Sequence, residues 1–225
     1  MSFPGHGEAV DSLDGYRHIY NRYRNYTMIP EATYIRNLQI AERAREVEGC
    51  IVECGVWRGG MIAGIAELLG PERAYFLFDS FEGLPPAREI DGPDALAWQS
   101  AVDSPIYYDN CRAPVEMAEE AMRISGARQA TMVKGWFADT LPGFRPPAPI
   151  ALLRLDGDWH DSTLLSLNSL YPYVTDRGLV IVDDYATWDG CARAVHEFLA
   201  RASPVRRIQR FEGDVCVLTP AKFWF

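Results

Sequence analysis

No apolar run in the 225-residue chain approaches the roughly 20 residues that span a bilayer. The opening stretch, MSFPGHGEAVDSLDGYRH, lacks a basic segment leading into an apolar core. Membrane and secretory roles are therefore not expected, and the chain reads as cytoplasmic. Basic runs are missing as well: 22 Lys and Arg stand against 31 Asp and Glu, a formal charge of −9. Such a surface does not neutralise a phosphate backbone, so nucleic acid is not an expected partner. The five cysteines form no CxxC pair, and their odd number leaves at least one unpaired. They read as buried thiols of a reducing compartment. Phosphate-cradling motifs are absent too. The glycine-rich turn ECGVWRGG lacks the G-x-G-x-x-G spacing of a dinucleotide fingerprint, and no G-x-x-x-x-G-K-[ST] occurs. What is present is 48% hydrophobic and 12% aromatic content, enough for one well-filled globular domain.

Short apolar runs alternate with helical stretches. CIVECG (50–55), AYFLFD (74–79), ATMVKG (130–135), PIALLRLD (149–156) and GLVIVDD (178–184) read as parallel strands, apolar on both faces because helices cover both sides. Helical spacing is expected over 59–69, 112–125 and 162–170, and Thr187 or Asp189 is placed to cap a helix through CARAVHEFLARA. The last two runs, VRRIQRF and DVCVLTP, are separated only by Glu212 and Gly213, a hairpin-type link. The expected fold is α/β, a doubly wound, mostly parallel seven-stranded sheet ending in an antiparallel hairpin. Residues 1–48 read as an N-terminal helical segment, with Tyr16, Tyr20 and Tyr23 on one face. That stripe suits core packing, a contact in a homo-oligomer, or a lid. The domain proper is then 49–225, with a flap over 84–110, where four Pro interrupt any periodicity.

In a doubly wound sheet, ligands collect beyond the carboxyl ends of the strands. The residues found there are Glu53 and Gly55, Asp79 and Ser80, Gly135 and Trp136, Asp156 and Asp158, and Asp183 and Asp184. Each alone suits a turn or a helix cap. Together they mark one end of the sheet. Asp79 holds the position in which nucleotide binders set an unpaired carboxylate against two ribose hydroxyls.

IVECGVWRGG, FDSFEGLP, VKGWFADTLPGF, ALLRLDGDWHDST and GLVIVDDYATWDGCARAVHEF, in that order, resemble the macrocin O-methyltransferase family from about Tyr26 onward. Its members are metal-dependent sugar methyltransferases of antibiotic biosynthesis. The resemblance implies a Rossmann-like class I methyltransferase fold with S-adenosylmethionine as cofactor. Glu53 and Gly55 would border its methionine part, Asp79 would hold the ribose, and Ser80, Trp136, Phe137 and Asp139 would surround the adenine. Gly135, Thr27 and Met28 complete the expected cofactor set. The implied acceptor is a small-molecule glycoside.

Asp156 and the pair Asp183-Asp184 end neighbouring strands, 27 residues apart, the length of one βαβ step. Carboxylates so gathered raise one another's pKa unless a cation neutralises them. Oxygen ligands favour a hard ion, so Mg²⁺ is expected on Asp156, Asp183 and Asp184. A base is needed to take a proton from an alcohol, and Asp158 and His160 are the rival groups. A phenol or catechol acceptor would suit the same acids. LLRLDGDWHDST also resembles the strand-D-x-D-x-[ST] opening of haloacid dehalogenase-type, Mg²⁺-dependent phosphatases. Some 150 residues precede it, however, and the sole lysine after it is Lys222, near the chain end.

Overall fold

In the computed structural model, residues 13–202, 207–210 and 216–219 are described. Seven strands form one sheet: β1 (Cys50–Cys54), β2 (Ala74–Asp79), β3 (Gln129–Lys134), β4 (Ile150–Leu155), β5 (Val174–Val182), β6 (Arg207–Arg210) and β7 (Cys216–Thr219). Their order is β3-β2-β1-β4-β5-β7-β6. The first five are parallel, and β7 lies antiparallel between β5 and β6. The Glu212–Gly213 link lies outside the described residues, while the antiparallel β6–β7 pairing is within them.

β1, β4 and the last five residues of β5 are buried throughout, as strands sandwiched between helices must be. β3 is different: Gln129, Ala130, Thr131 and Lys134 are exposed, because it is the sheet's edge, with only Met132 and Val133 half-buried. β5 begins four residues earlier than its apolar run. Val174 pairs with Ile150, and a register shift then brings Leu179 opposite Leu152, passing over the polar Thr175, Asp176 and Arg177, which periodicity does not show.

One face of the sheet carries α1 (Leu13–Tyr23), α2 (Glu31–Ala41), α3 (Gly60–Leu69) and α5 (Val115–Ser125). The other carries α6 (His160–Leu170) and α7 (Asp189–Arg201). Trp188 occupies the N-cap of α7, so neither Thr187 nor Asp189 caps it. The tyrosine stripe packs within the chain. Tyr16 and Tyr23 are buried, the Tyr16 hydroxyl donates to Glu42, and that of Tyr23 donates to Glu67 of α3 at 2.8 Å. Tyr34 reaches the Gly60 carbonyl at 2.7 Å, and a Cβ on Gly64 would come within 2.0 Å of its hydroxyl, so that position of α3 must stay bare.

The 84–110 segment holds a helix, α4 (Pro93–Ser100), started by Pro at its first turn. Its two ends are tied: Leu84 N–H donates to the Asn110 carbonyl at 3.0 Å, and Asn110 Nδ2 to the Leu84 carbonyl at 2.8 Å. Tyr108 to Cys111 then run through the left-handed region, at φ of 50–60°, an arrangement non-glycine residues hold only under constraint.

Candidate active site

The chain reverses its sheet order between β1 and β4, and the site lies beyond their carboxyl ends. Gly55, at φ 84°, leaves β1 with its N–H on the Phe78 carbonyl at 2.8 Å. A Cβ there would stand 1.7 Å from the Asp156 carbonyl oxygen. Only glycine permits that approach, which locks the first turn onto the acid ending β4. Asp79 ends β2, and its carboxylate is not unpaired. Oδ2 accepts N–H bonds from Val56 and Trp57 at 2.8 and 2.9 Å, and Oδ1 accepts one from Phe81 at 2.7 Å. Burial raises its pKa even against those three donors. Asp79 therefore organises the turn as well as lining the cavity.

Arg154 was hidden in the apolar run LLRLD. It is 1% exposed and lies beside Glu53 in the register of β1 and β4. Its Nη1 meets Glu53 and Asp156 at 2.7 Å each, its Nε donates to Asn37 of α2 at 3.1 Å, and its Nη2 pairs with Asp183 at 2.6 Å, off the hydrogen-bonding direction. One guanidinium thus compensates three carboxylates. Burial still pushes the Glu53 carboxyl up to about 8, Arg154 pulling the other way, and Glu53 Oε2 is buried with no hydrogen-bond partner. Asp156 is pushed up to about 6 by burial, with Arg154 again opposing and Asp183 adding.

The carboxylates that converge, with ligand oxygens within 4.8 Å of one another, are Asp156, Asp158 and Asp184. The expected set named Asp183 in place of Asp158. Asp183 lines the same cavity, but Arg154 and Asn37 both engage its Oδ1. Asp158 joins because β4 stops at Leu155 and Asp158 turns through φ 56°, placing its N–H on Asp184 Oδ2 at 3.0 Å. Its Oδ1 accepts the indole N–H of Trp188 at 2.9 Å. Burial first, then the neighbouring carboxylate charges, holds Asp158 and Asp184 well above the usual carboxylate range.

These groups floor a cavity of about 900 Å³. Of the residues expected at the cofactor, Thr27, Met28, Glu53, Gly55, Asp79, Ser80, Trp136 and Phe137 line it. Gly135 and Asp139 do not. The helical turn Phe137–Thr140 points Asp139 to solvent, and Gly135 serves the backbone with its N–H on Asp79 O at 2.9 Å. His160 is absent from the lining as well. Its ring is buried between Asp161 and Glu197, at 3.0 and 3.2 Å, at the start of α6. Of the two rival groups, Asp158 lines the cavity and His160 does not. Sequence reasoning missed Arg154 and the tryptophans Trp98, Trp159 and Trp188, all of which line the cavity.

The model of the macrocin-O-methyltransferase (TylF) family matches residues 22–214. The chain belongs to that family. The methyltransferase family sets aside the phosphatase reading of LLRLDGDWHDST. The chain is 35% identical over 177 residues to the 8-demethyl-8-(2,3-dimethoxy-alpha-L-rhamnosyl)-tetracenomycin-C 4'-O-methyltransferase of Streptomyces olivaceus, covering 74% of this chain and 64% of that protein. With the demethyldecarbamoylnovobiocin O-methyltransferase of Streptomyces niveus it shares 36% identity over 165 residues, covering 69% and 60%. The matches thus span just under two thirds of these relatives' own length. The O-methyltransferase NovP superimposes with a TM-score of 0.70 at 30% identity, over 88% of this chain and 83% of that one. This macrocin-family member has the class I methyltransferase fold.

Proposed function

We propose that the chain is an S-adenosylmethionine-dependent O-methyltransferase that methylates a sugar hydroxyl of a glycosylated natural product with the help of Mg²⁺. The observation that carries this reading is the convergence of Asp156, Asp158 and Asp184 in a cavity that the Gly55 turn and Asp79 also line. Relatives that methylate a rhamnosyl compound and a novobiocin precursor support the acceptor class. The donor set fits both small molecules. Glu53 Oε2, buried without a partner, is an acceptor suited to the ammonium of the cofactor's methionine end. Oxygen donors alone, on adjacent strand ends, fit a hard divalent cation.

Asp156 and Asp184 would hold the cation, with Asp183 beside them. A divalent cation held by these residues would supply Lewis-acid chemistry toward the acceptor hydroxyl. The remaining tasks fall to the protein. Asp158, whose proton affinity burial has raised, takes the hydroxyl proton. The Trp188 N–H holds its carboxylate through Oδ1 at 2.9 Å. Arg154 holds Asp156 and Asp183 in place beneath. Apolar walls keep water from the methyl donor.

The test is methyl transfer from labelled S-adenosylmethionine to a panel of glycosides, with and without Mg²⁺. Asp183→Asn should abolish turnover, and Asp158→Asn should lower kcat by about a hundredfold or more while leaving Mg²⁺ affinity intact. Full activity in excess EDTA would overturn the metal role. The panel includes a catechol, because paired phenolic oxygens suit the same acids. Turnover of the catechol with the sugars untouched would replace the acceptor.

A further inference from the structure

Trp98, Trp159 and Trp188 come from three separate parts of the chain: α4 of the 84–110 segment, the turn after β4, and the turn after β5. Their rings form a closed triangle. Trp159 and Trp188 have centroids 5.3 Å apart at 67°, Trp98 and Trp188 6.1 Å at 61°, and Trp98 and Trp159 6.2 Å at 70°. All three line the cavity beside Asp158. Every indole N–H is committed to the protein: Trp98 to the Ile106 carbonyl at 3.0 Å, Trp159 to the Pro85 carbonyl at 2.9 Å, and Trp188 to Asp158 Oδ1 at 2.9 Å. The triangle therefore offers carbon faces to a ligand and keeps its polar edges for itself. Trp159 is buried behind the other two, while Trp98 and Trp188 stay half-buried and open.

Charge narrows the ligand further. The cavity lining carries eight carboxylates and two arginines. Among the described lining residues both arginines are paired, Arg88 with Asp161 at 2.5 Å and Arg154 with the buried acids, and acids outnumber them four to one, which disfavours an anion.

We propose that this tryptophan triangle is the acceptor subsite: Trp98 and Trp188 stack an uncharged sugar ring by its C–H face, and Trp188 also positions Asp158 through its N–H. The proposal rests on the sugar-methylating reading above and names the residues that select the ring. An aromatic face attracts the partly positive C–H bonds on one side of a pyranose and leaves its hydroxyl edge facing the carboxylates. Trp188 thus couples recognition to chemistry, because the ring that seats the sugar is bonded to the group that takes its proton.

The experiment measures kcat and KM separately, with S-adenosylhomocysteine titration as the check that each variant keeps its cofactor site. Trp98→Leu should raise KM for a rhamnoside about tenfold with kcat nearly kept. Trp188→Phe keeps the face but loses the donor, so it should lower kcat about tenfold at little change in KM. Trp188→Leu should lose both. Saturation-transfer NMR with methyl α-L-rhamnopyranoside, S-adenosylhomocysteine and Mg²⁺ reads the stacking without turnover. Transfer should concentrate on the C–H protons of one ring face and disappear in Trp98→Leu. Wild-type kinetics in Trp98→Leu and Trp188→Phe, or saturation transfer that shows no preferred face or survives the substitution, would overturn the subsite. A wild-type protein that shows the one-face pattern yet methylates no sugar would instead overturn the reaction and leave the subsite standing.

Discussion

Replacing Arg154 by Met tests the electrostatic account of the site most directly. Methionine fills the space of the side chain's stem, so packing is largely kept while the charge is removed. Glu53, Asp156 and Asp183 then lose the guanidinium that contacts them at 2.7, 2.7 and 2.6 Å. Removing one partner from a buried ion-pair network costs about 3–5 kcal/mol. At about 2–4 °C per kcal/mol for a domain of this size, the midpoint of thermal unfolding should fall by roughly 10 °C near pH 8. The sign with pH follows from Glu53 and Asp156, whose folded pKa values already lie above their ordinary 4.5 and 3.8, at about 8 and 6. A carboxyl raised on folding takes up a proton as the chain folds. Its stability is complete below its unfolded pKa and lost as pH rises through the folded one. Without Arg154 both values rise further, so the deficit should be small near pH 5 and large at pH 8. Urea unfolding followed by circular dichroism in EDTA, at both pH values, measures it. An equal deficit at the two, or a larger one at pH 5, would refute the reasoning.

Three other substitutions probe neighbouring parts. His160→Ala should keep kcat within about threefold and cost about 1–2 kcal/mol of stability, since the ring is not part of the cavity lining and bonds Asp161 and Glu197. A loss of about a hundredfold in kcat would restore it as a base. Gly55→Ala forces a Cβ to 1.7 Å from the Asp156 carbonyl at φ 84°, and should destabilise by about 3 kcal/mol or more and abolish S-adenosylhomocysteine binding in calorimetry. Normal binding would mean that the turn yields. Asp79→Asn turns an amide donor toward backbone donors, so about 1.5–3 kcal/mol of stability and at least tenfold in cofactor affinity should go. Unchanged melting and affinity would show that its three bonds are dispensable.

Hydrophobic runs located all five parallel strands within a few residues, because buried parallel strands are written as continuous apolar segments. The acids at their ends were legible for the same reason, since strand direction alone puts Glu53, Asp79, Asp156 and Asp184 at one edge. Contacts that depend on the third dimension were not. Arg154 sits in an apolar run, and nothing local says that its head meets three carboxylates from β1, β4 and β5. Asp158 was ambiguous because its direction depends on a single left-handed residue after the strand stops. His160 follows it by two positions yet faces α7, a partner that only helix packing supplies. The tryptophans lie 61 and 29 residues apart along the chain, Trp98 to Trp159 and Trp159 to Trp188, and no sequence spacing brings them together.

The 84–110 segment is held by side chains and main chain alike, with Asp91 accepting the His160 N–H and Arg88 paired with Asp161. Pro85 and Ile106 contribute carbonyls to two tryptophans, and Leu84 contributes its carbonyl and N–H to Asn110. A carbonyl is the same group whatever side chain accompanies it. The mounting therefore tolerates replacement of outward residues such as Leu96 and Val102, both open to solvent. Exchanges at these outward positions leave untouched both the carbonyls that hold the segment and the acids beneath it.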